Sequence, residues 1–124
     1  MGPTPPTPRR LLAYARVSGS EQEAHGTSLA AQQERFQRFA REHRYPDPLL
    51  FVEVESAGEE KREKRVELDR LLAAAAPGDL VLCLVVDRWT RDVVDGVASV
   101  RKLLRRGVGW VAIEEQIDAT ARLV

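Results

Sequence analysis

The sequence predicts an α/β fold: an open, mostly parallel sheet flanked by helices. Three observations carry this expectation. Short apolar runs suited to strands alternate with segments of helical periodicity, in the order βαβαβαβ, which calls for right-handed crossovers. Residues 80–86 (LVLCLVV) are continuously apolar, as a strand covered on both faces must be. Charged and hydroxyl residues follow directly after the apolar runs, at the strand ends where an open α/β sheet places its ligands. With 124 residues and 44% apolar side chains, the chain can bury one core without disulfides or a structural metal.

The elements follow in order. Residues 1–10 hold Pro3, Pro5, Pro6 and Pro8 and read as a disordered or polyproline-like leader, leaving 11–124 as the folded domain. Residues 11–17 (LLAYARV) read as the first strand, and 19–27 (GSEQEAHGT) as a polar loop. Ser28 is placed to cap a helix whose face carries Leu29, Phe36 and Ala40 and which ends near His43, before Pro46 and Pro48. Residues 49–54 (LLFVEV) form the second strand. After the charged stretch 55–65 comes a helix carrying Leu68, Leu71, Leu72 and Ala75, and Pro77-Gly78-Asp79 makes the turn into the central strand, 80–86. Val93, Val97, Val100 and Leu104 mark the next helical face, Gly107 ends that helix, and 109–114 (GWVAIE) supplies the last strand.

Composition excludes several classes. Nineteen Lys plus Arg balance nineteen Asp plus Glu, so any case for nucleic acid must rest on local charge. No stretch approaches the roughly 20 apolar residues of a membrane span, and the Pro-rich start lacks the apolar segment of a signal peptide, which points to a cytoplasmic protein. The single Cys83 lies within the central apolar run and reads as a buried thiol. His25 and His43 are far apart and no Cys pair accompanies them, so there is no zinc ligand set. Neither G-x-x-x-x-G-K-[ST], nor G-x-G-x-x-G after the first strand, nor the elbow G-x-S-x-G is present.

What the strand ends do hold is a serine among arginines and carboxylates. Period-two alternation puts Tyr14, Arg16 and Ser18 on one face of the first strand. The second strand runs out in Glu53, Glu55 and Ser56, and the third in Asp87-Arg88-Trp89-Thr90-Arg91-Asp92. Guanidinium groups can stabilise charge on the nonbridging oxygens of a phosphodiester as a metal ion would. A serine that displaces a sugar oxygen conserves the bond energy in a covalent link, so the step is reversible and needs neither cofactor nor metal.

These residues resemble a known family. Tyr14-Ala15-Arg16-Val17-Ser18 with Gln22 resembles the nucleophile motif of serine site-specific recombinases of the resolvase/invertase family. Ser28-Leu29 with Gln32 resembles their S-L-x-x-Q. Arg65-Val66-Glu67-Leu68 resembles their R-P-x-L, and Gly78-Asp79 followed by Asp87-Arg88-Trp89-Thr90-Arg91-Asp92 resembles their G-D…D-R-x-x-R-D. Each motif alone is weak; their order and spacing, from Leu11 to about Asp118, are specific. The resemblance implies a resolvase-like catalytic domain in which Ser18 is the nucleophile that forms a 5′-phosphoserine link. Arg16, Arg65, Arg88 and Arg91 surround the phosphate, Asp87 orients an arginine or assists proton transfer, and Tyr14, Gln22, Gln32 and Glu53 support the site. It implies double-stranded DNA as substrate, and dimers that pair into tetramers.

Two departures bear on activity. Glu53 and Glu55, followed by Ser56-Ala57-Gly58, stand where the family often has an aspartate shortly before an S-G pair. The sequence ends at Val124, where the family continues into a dimerisation helix and a DNA-binding domain, so a truncated, impaired enzyme is one expectation. A second is a recombinase fold serving only as a protein-interaction module, and a third is a flavodoxin-like signalling domain, which would show an acidic, metal-binding pocket. The plain readings also stand. Asp87, Arg88 and Arg91 suit a surface ion-pair cluster at a helix start, Lys61, Arg62 and Lys64 a solvated loop, and Arg101, Lys102, Arg105 and Arg106 the solvated face of a helix.

Overall fold

The computed structural model describes residues 9–18, 28–55, 65–90 and 92–119, the side chains of Ser18 and Glu55 excepted. The elements in chain order are β1 (Leu11–Ser18), α1 (Leu29–Glu42), β2 (Leu49–Glu55), α2 (Val66–Ala74), β3 (Leu80–Cys83), α3 (Val86–Trp89), α4 (Val93–Arg105), β4 (Gly109–Ala112) and β5 (Ile117–Ala119). They build a five-stranded sheet in the order β2-β1-β3-β4-β5. β1 pairs in parallel with both β2 and β3, β3 pairs in parallel with β4, and only β5 runs antiparallel, along β4. The fold class is the expected open, mostly parallel α/β sheet.

Alternation along β1 sorts the core into two layers. Leu11, Ala13 and Ala15 face α1 and pack with Phe36, Ala40, Leu80, Leu82 and Val111. Leu12 and Tyr14 face the other way and pack with Leu68, Leu71, Trp89, Leu103 and Trp110, beneath α2, α3 and α4. Ser28 caps α1 as its sequence suggests, its hydroxyl accepting from the Ala31 amide at 3.1 Å. Gly78 and Gly107 take φ of +96° and +83°, the left-handed conformation glycine adopts without strain, and Gly107 lies just past the end of α4.

Several expectations are corrected. The apolar run 80–86 does not stay extended: β3 ends at Cys83, and the chain turns at Leu84–Val85 into the single-turn helix α3. A continuous apolar run cannot by itself separate a buried strand from a strand followed by a buried turn. The last run, 109–114, stops as a strand at Ala112 and turns back into β5, which its charged flanks concealed. On α4 the expected apolar face is rotated. Val93 and Val97 are 73% and 47% exposed, while Gly96 and Leu103 are buried and Val100 packs on the core. Gly96 fixes that rotation, because a Cβ there would lie 2.4 Å from Thr90 Cγ2.

Three polar contacts tie the ends of elements together. Arg10, assigned above to the leader, forks onto Asp79, with Nε 3.2 Å from Oδ1 and Nη2 2.6 Å from Oδ2, and donates to the Ala74 carbonyl at 3.0 Å. Asp79 also accepts from the Ala76 amide at 2.8 Å. Arg106 is not simply solvated: it donates to the carbonyls of Leu72 (2.8 Å) and Ala75 (2.6 Å), closing the C-terminal end of α2. Residues 1–8, the loop 19–27 and the segment 56–64 lie outside the described residues. No helix among the described residues is long and apolar enough to cross a membrane.

Candidate active site

The carboxyl ends of β1 and β2 meet the start of α2, and here the supporting residues come together. Tyr14 is fully buried, and its hydroxyl donates to Glu53 Oε1 at 2.9 Å. Glu53, on the neighbouring strand and 8% exposed, also accepts from the amides of Glu67 (3.2 Å, Oε2) and Leu68 (3.0 Å, Oε1). Those amides belong to the first turn of α2, whose own N-cap, Arg65, makes no side-chain capping bond. A strand glutamate thus caps the helix, taking two of the donors that a helix start leaves open and adding favourable charge at its positive end. The extra methylene of glutamate over aspartate carries the carboxylate toward these amides.

The cap fixes where Arg65 points. Its guanidinium carbon lies 5.8 Å from the centre of the Tyr14 ring, and it donates to the Trp89 carbonyl. Among the described residues Arg65 pairs with no carboxylate, and its buried Nε finds no hydrogen-bond partner. Its guanidinium is therefore held in place by the Tyr14 ring and the Trp89 carbonyl. Burial pushes the Tyr14 phenol well above its ordinary value; the Arg65 charge opposes this, and the Glu53 carboxylate adds to it. Tyr14 stays protonated and keeps donating to Glu53.

Trp89, which the sequence reading passed over as a variable motif position, anchors the site. It is 1% exposed, packs edge-on against Tyr14 (5.6 Å, 79°) and Trp110 (5.8 Å, 67°), and donates from Nε1 to Ser99 Oγ at 2.9 Å. A tryptophan directly after an arginine in a charged segment is the signal that could have pointed to it.

The other candidate residues divide. Arg16, two residues before the end of β1, is 3% exposed, and buried Gln32 donates from Nε2 to its backbone carbonyl at 3.3 Å. Gln32 therefore joins α1 to the strand that ends in Ser18. The Ser18 backbone closes β1 and pairs in register with Glu55, while its side chain lies outside the described residues. Asp87 (exposed) and Arg88 (half-buried) sit on α3, which packs against β1. Asp92, the last residue of the motif, caps α4, accepting from the amides of Val94 (2.9 Å) and Asp95 (3.4 Å). Gln22 and Arg91 lie outside the described residues. No group of three or more His, Cys, Asp or Glu among the described residues is arranged to hold a metal ion.

The mostly parallel sheet and its flanking helices define an open α/β domain, with Arg16 near the carboxyl end of β1 and Arg88 just past that of β3, the edge where such sheets bind ligands. The family described as "Resolvase, N terminal domain" matches residues 11–123, and the chain belongs to that family. The transposon Tn552 DNA-invertase BinR of Staphylococcus aureus is 29% identical over 106 residues, covering 86% of this chain and 48% of the invertase. The chain spans about half the length of that relative. Among solved structures, the N-terminal catalytic domain of TP901-1 integrase shares the fold with a TM-score of 0.75 and 22% identity, over 93% of this chain and 88% of that one. A resolvase-family site-specific recombinase from Streptococcus pneumoniae does so with a TM-score of 0.65 and 22% identity, over 90% and 76%.

Proposed function

We propose that this domain performs the strand-cutting and rejoining step of site-specific DNA recombination, with Ser18 as nucleophile. The observation that carries the reading is Arg65: a guanidinium held by Tyr14 and the Trp89 carbonyl, paired with no carboxylate among the described residues, beside the strand that ends in Arg16-Val17-Ser18. A fixed cation with no carboxylate partner among the described residues suits a phosphate ligand. Ser18 Oγ attacks phosphorus, the bond to the 3′ oxygen breaks, and that oxygen leaves as a hydroxyl after taking a proton. The 5′ phosphate stays esterified to Ser18, and the reverse sequence reseals the strand. Arg16, Arg65, Arg88 and Arg91 stabilise the charge on the phosphoryl oxygens, and Asp87 accepts the serine proton or orients an arginine. Gln22 supports the same site, and Tyr14, Gln32 and Glu53 position it. Membership of the family and the name of the DNA-invertase relative support this reading.

The partner is double-stranded DNA, and the active assembly is a dimer pairing into a tetramer. The exposed valines of α4, Val93 (73%), Val94 (75%) and Val97 (47%), support a protein-protein contact. They also favour the second reading, an interaction module without catalysis. The two separate in one experiment: residues 1–124 are fused to a sequence-specific DNA-binding module and incubated with DNA carrying paired module sites. A denaturant-resistant protein–DNA adduct that disappears in Ser18→Ala supports the recombinase. A folded fusion that binds DNA without forming an adduct supports the module.

A further inference from the structure

We infer that Glu115, in the turn between β4 and β5, is a positioning residue for the Asp87-Arg88 pair, a role that rests on the function proposed above. α3 is only four residues long and is preceded by Val85, which has no side-chain oxygen to cap it. An isolated turn of this length does not hold itself, since nucleation fixes several dihedrals for few hydrogen bonds. Its internal bonds are Arg88 N to Val85 O (2.9 Å) and Thr90 N to Val86 O (3.0 Å). The amide of Val86, the first helical residue, donates to Glu115 Oε1 at 2.7 Å, a charge-assisted bond at the positive end of the turn. Glu115 is thus to α3 what Glu53 is to α2: a carboxylate from a remote element capping a helix that carries an arginine of the site.

The platform beneath Glu115 is itself fixed. The Ile113 and Glu114 amides extend the β3–β4 ladder onto the carbonyls of Cys83 (3.0 Å) and Leu84 (2.9 Å). Glu114 pairs with Arg35 of α1, and Gln116 closes the turn at φ +58°. Position is therefore transmitted from the sheet, through Glu115, to the first turn of α3. That turn carries Asp87 and Arg88 and presents the Trp89 carbonyl that Arg65 binds. Loss of Glu115 would loosen both arginines at once, through the turn that carries one and presents the carbonyl bound by the other.

The test uses the DNA-binding-module fusion described above, with Glu115→Ala and Glu115→Gln. Adduct formation at saturating DNA is measured beside DNA affinity, thermal unfolding and the amide spectrum of the free domain. In Glu115→Ala, adduct formation slows roughly tenfold, in proportion to the loss of one charged capping bond, while affinity holds and the melting temperature falls by only the few degrees one such bond accounts for, leaving the domain folded at the assay temperature. Glu115→Gln, which keeps an acceptor oxygen, recovers most of the rate. The Val86 amide resonance shifts and exchanges faster in Glu115→Ala, with changes centred on residues 85–90. A wild-type rate in Glu115→Ala, an unshifted Val86 amide, or a rate that falls only in step with the folded fraction overturns the positioning role alone. A wild-type fusion that forms no adduct overturns the proposed reaction, and the positioning role with it.

Discussion

Tyr14 and Asp79 show how single buried polar groups set the ends of helices. The Tyr14 hydroxyl is one of three donors on Glu53 among the described residues, so Tyr14→Phe leaves the two amides of these and costs about 1 kcal/mol. Because Arg65 lies against the same ring, Tyr14→Phe should slow adduct formation less than Arg65→Ala, read side by side on the same DNA. Asp79 behaves differently because it is paired with a cation. Burial alone would raise its carboxyl, but the Arg10 guanidinium and the Ala76 amide hold it below the ordinary carboxylate value. A carboxyl depressed in the folded state stabilises the fold above its unfolded value and loses that contribution as pH falls through its folded value. Acid unfolding monitored by circular dichroism should therefore steepen below about pH 4, the usual carboxylate range. Asp79→Asn should remove that part of the acid dependence and cost roughly 1–2 kcal/mol at neutral pH. An unchanged acid profile in Asp79→Asn would place the sensitivity elsewhere.

Among the elements, α4 gives the sharpest test, since one atom decides its orientation. Alanine favours a helix over glycine by about 1 kcal/mol, but a methyl at Gly96 would sit 2.4 Å from Thr90 Cγ2. Overpacking of that kind costs about 1–3 kcal/mol, so it outweighs the propensity gain. Gly96→Ala should destabilise the domain in urea unfolding. Adding Thr90→Ser, which removes the obstructing methyl and keeps the hydroxyl that bonds the Asp92 backbone, should recover most of the loss. Additive behaviour of the two changes would mean that the clash is not what positions α4. The same close contact explains why valine spacing misled: Val93 and Val97 follow a helical period, but the face that can approach the sheet is the one with no side chain at 96.

At the scale of the whole domain, β3 lies at the centre of the sheet, between β1 and β4, and Cys83 is its last residue. Burial, reinforced by the Glu115 charge, pushes its thiol well above the ordinary range. A buried thiol of raised pKa reacts only when the structure opens, and a central strand opens last. Labelling of Cys83 by a thiol reagent should be slow in native buffer, and its dependence on urea should match that of global unfolding. Labelling at the rate of a free thiol would show that the central strand opens locally.

The sequence by itself determined the alternation of strands and helices, the mostly parallel sheet, the serine cap of α1, and the places of Arg16 near the end of β1 and Arg88 just past β3. These follow from local periodicity, turn residues and motif spacing, all of which act over a few neighbouring positions. Tertiary structure alone decided where the apolar run 80–86 breaks, which face of α4 turns inward, and that Arg10 and Arg106 close the ends of other elements. It also decided the site's internal order: Glu53, marked from the sequence as a doubtful replacement, caps the helix that carries Arg65, and Glu115 caps the one that carries Arg88. Those contacts join residues 14 to 29 positions apart in the chain, and the sheet register sets them. A carboxylate chooses its donors by distance and geometry, and only the folded backbone supplies those.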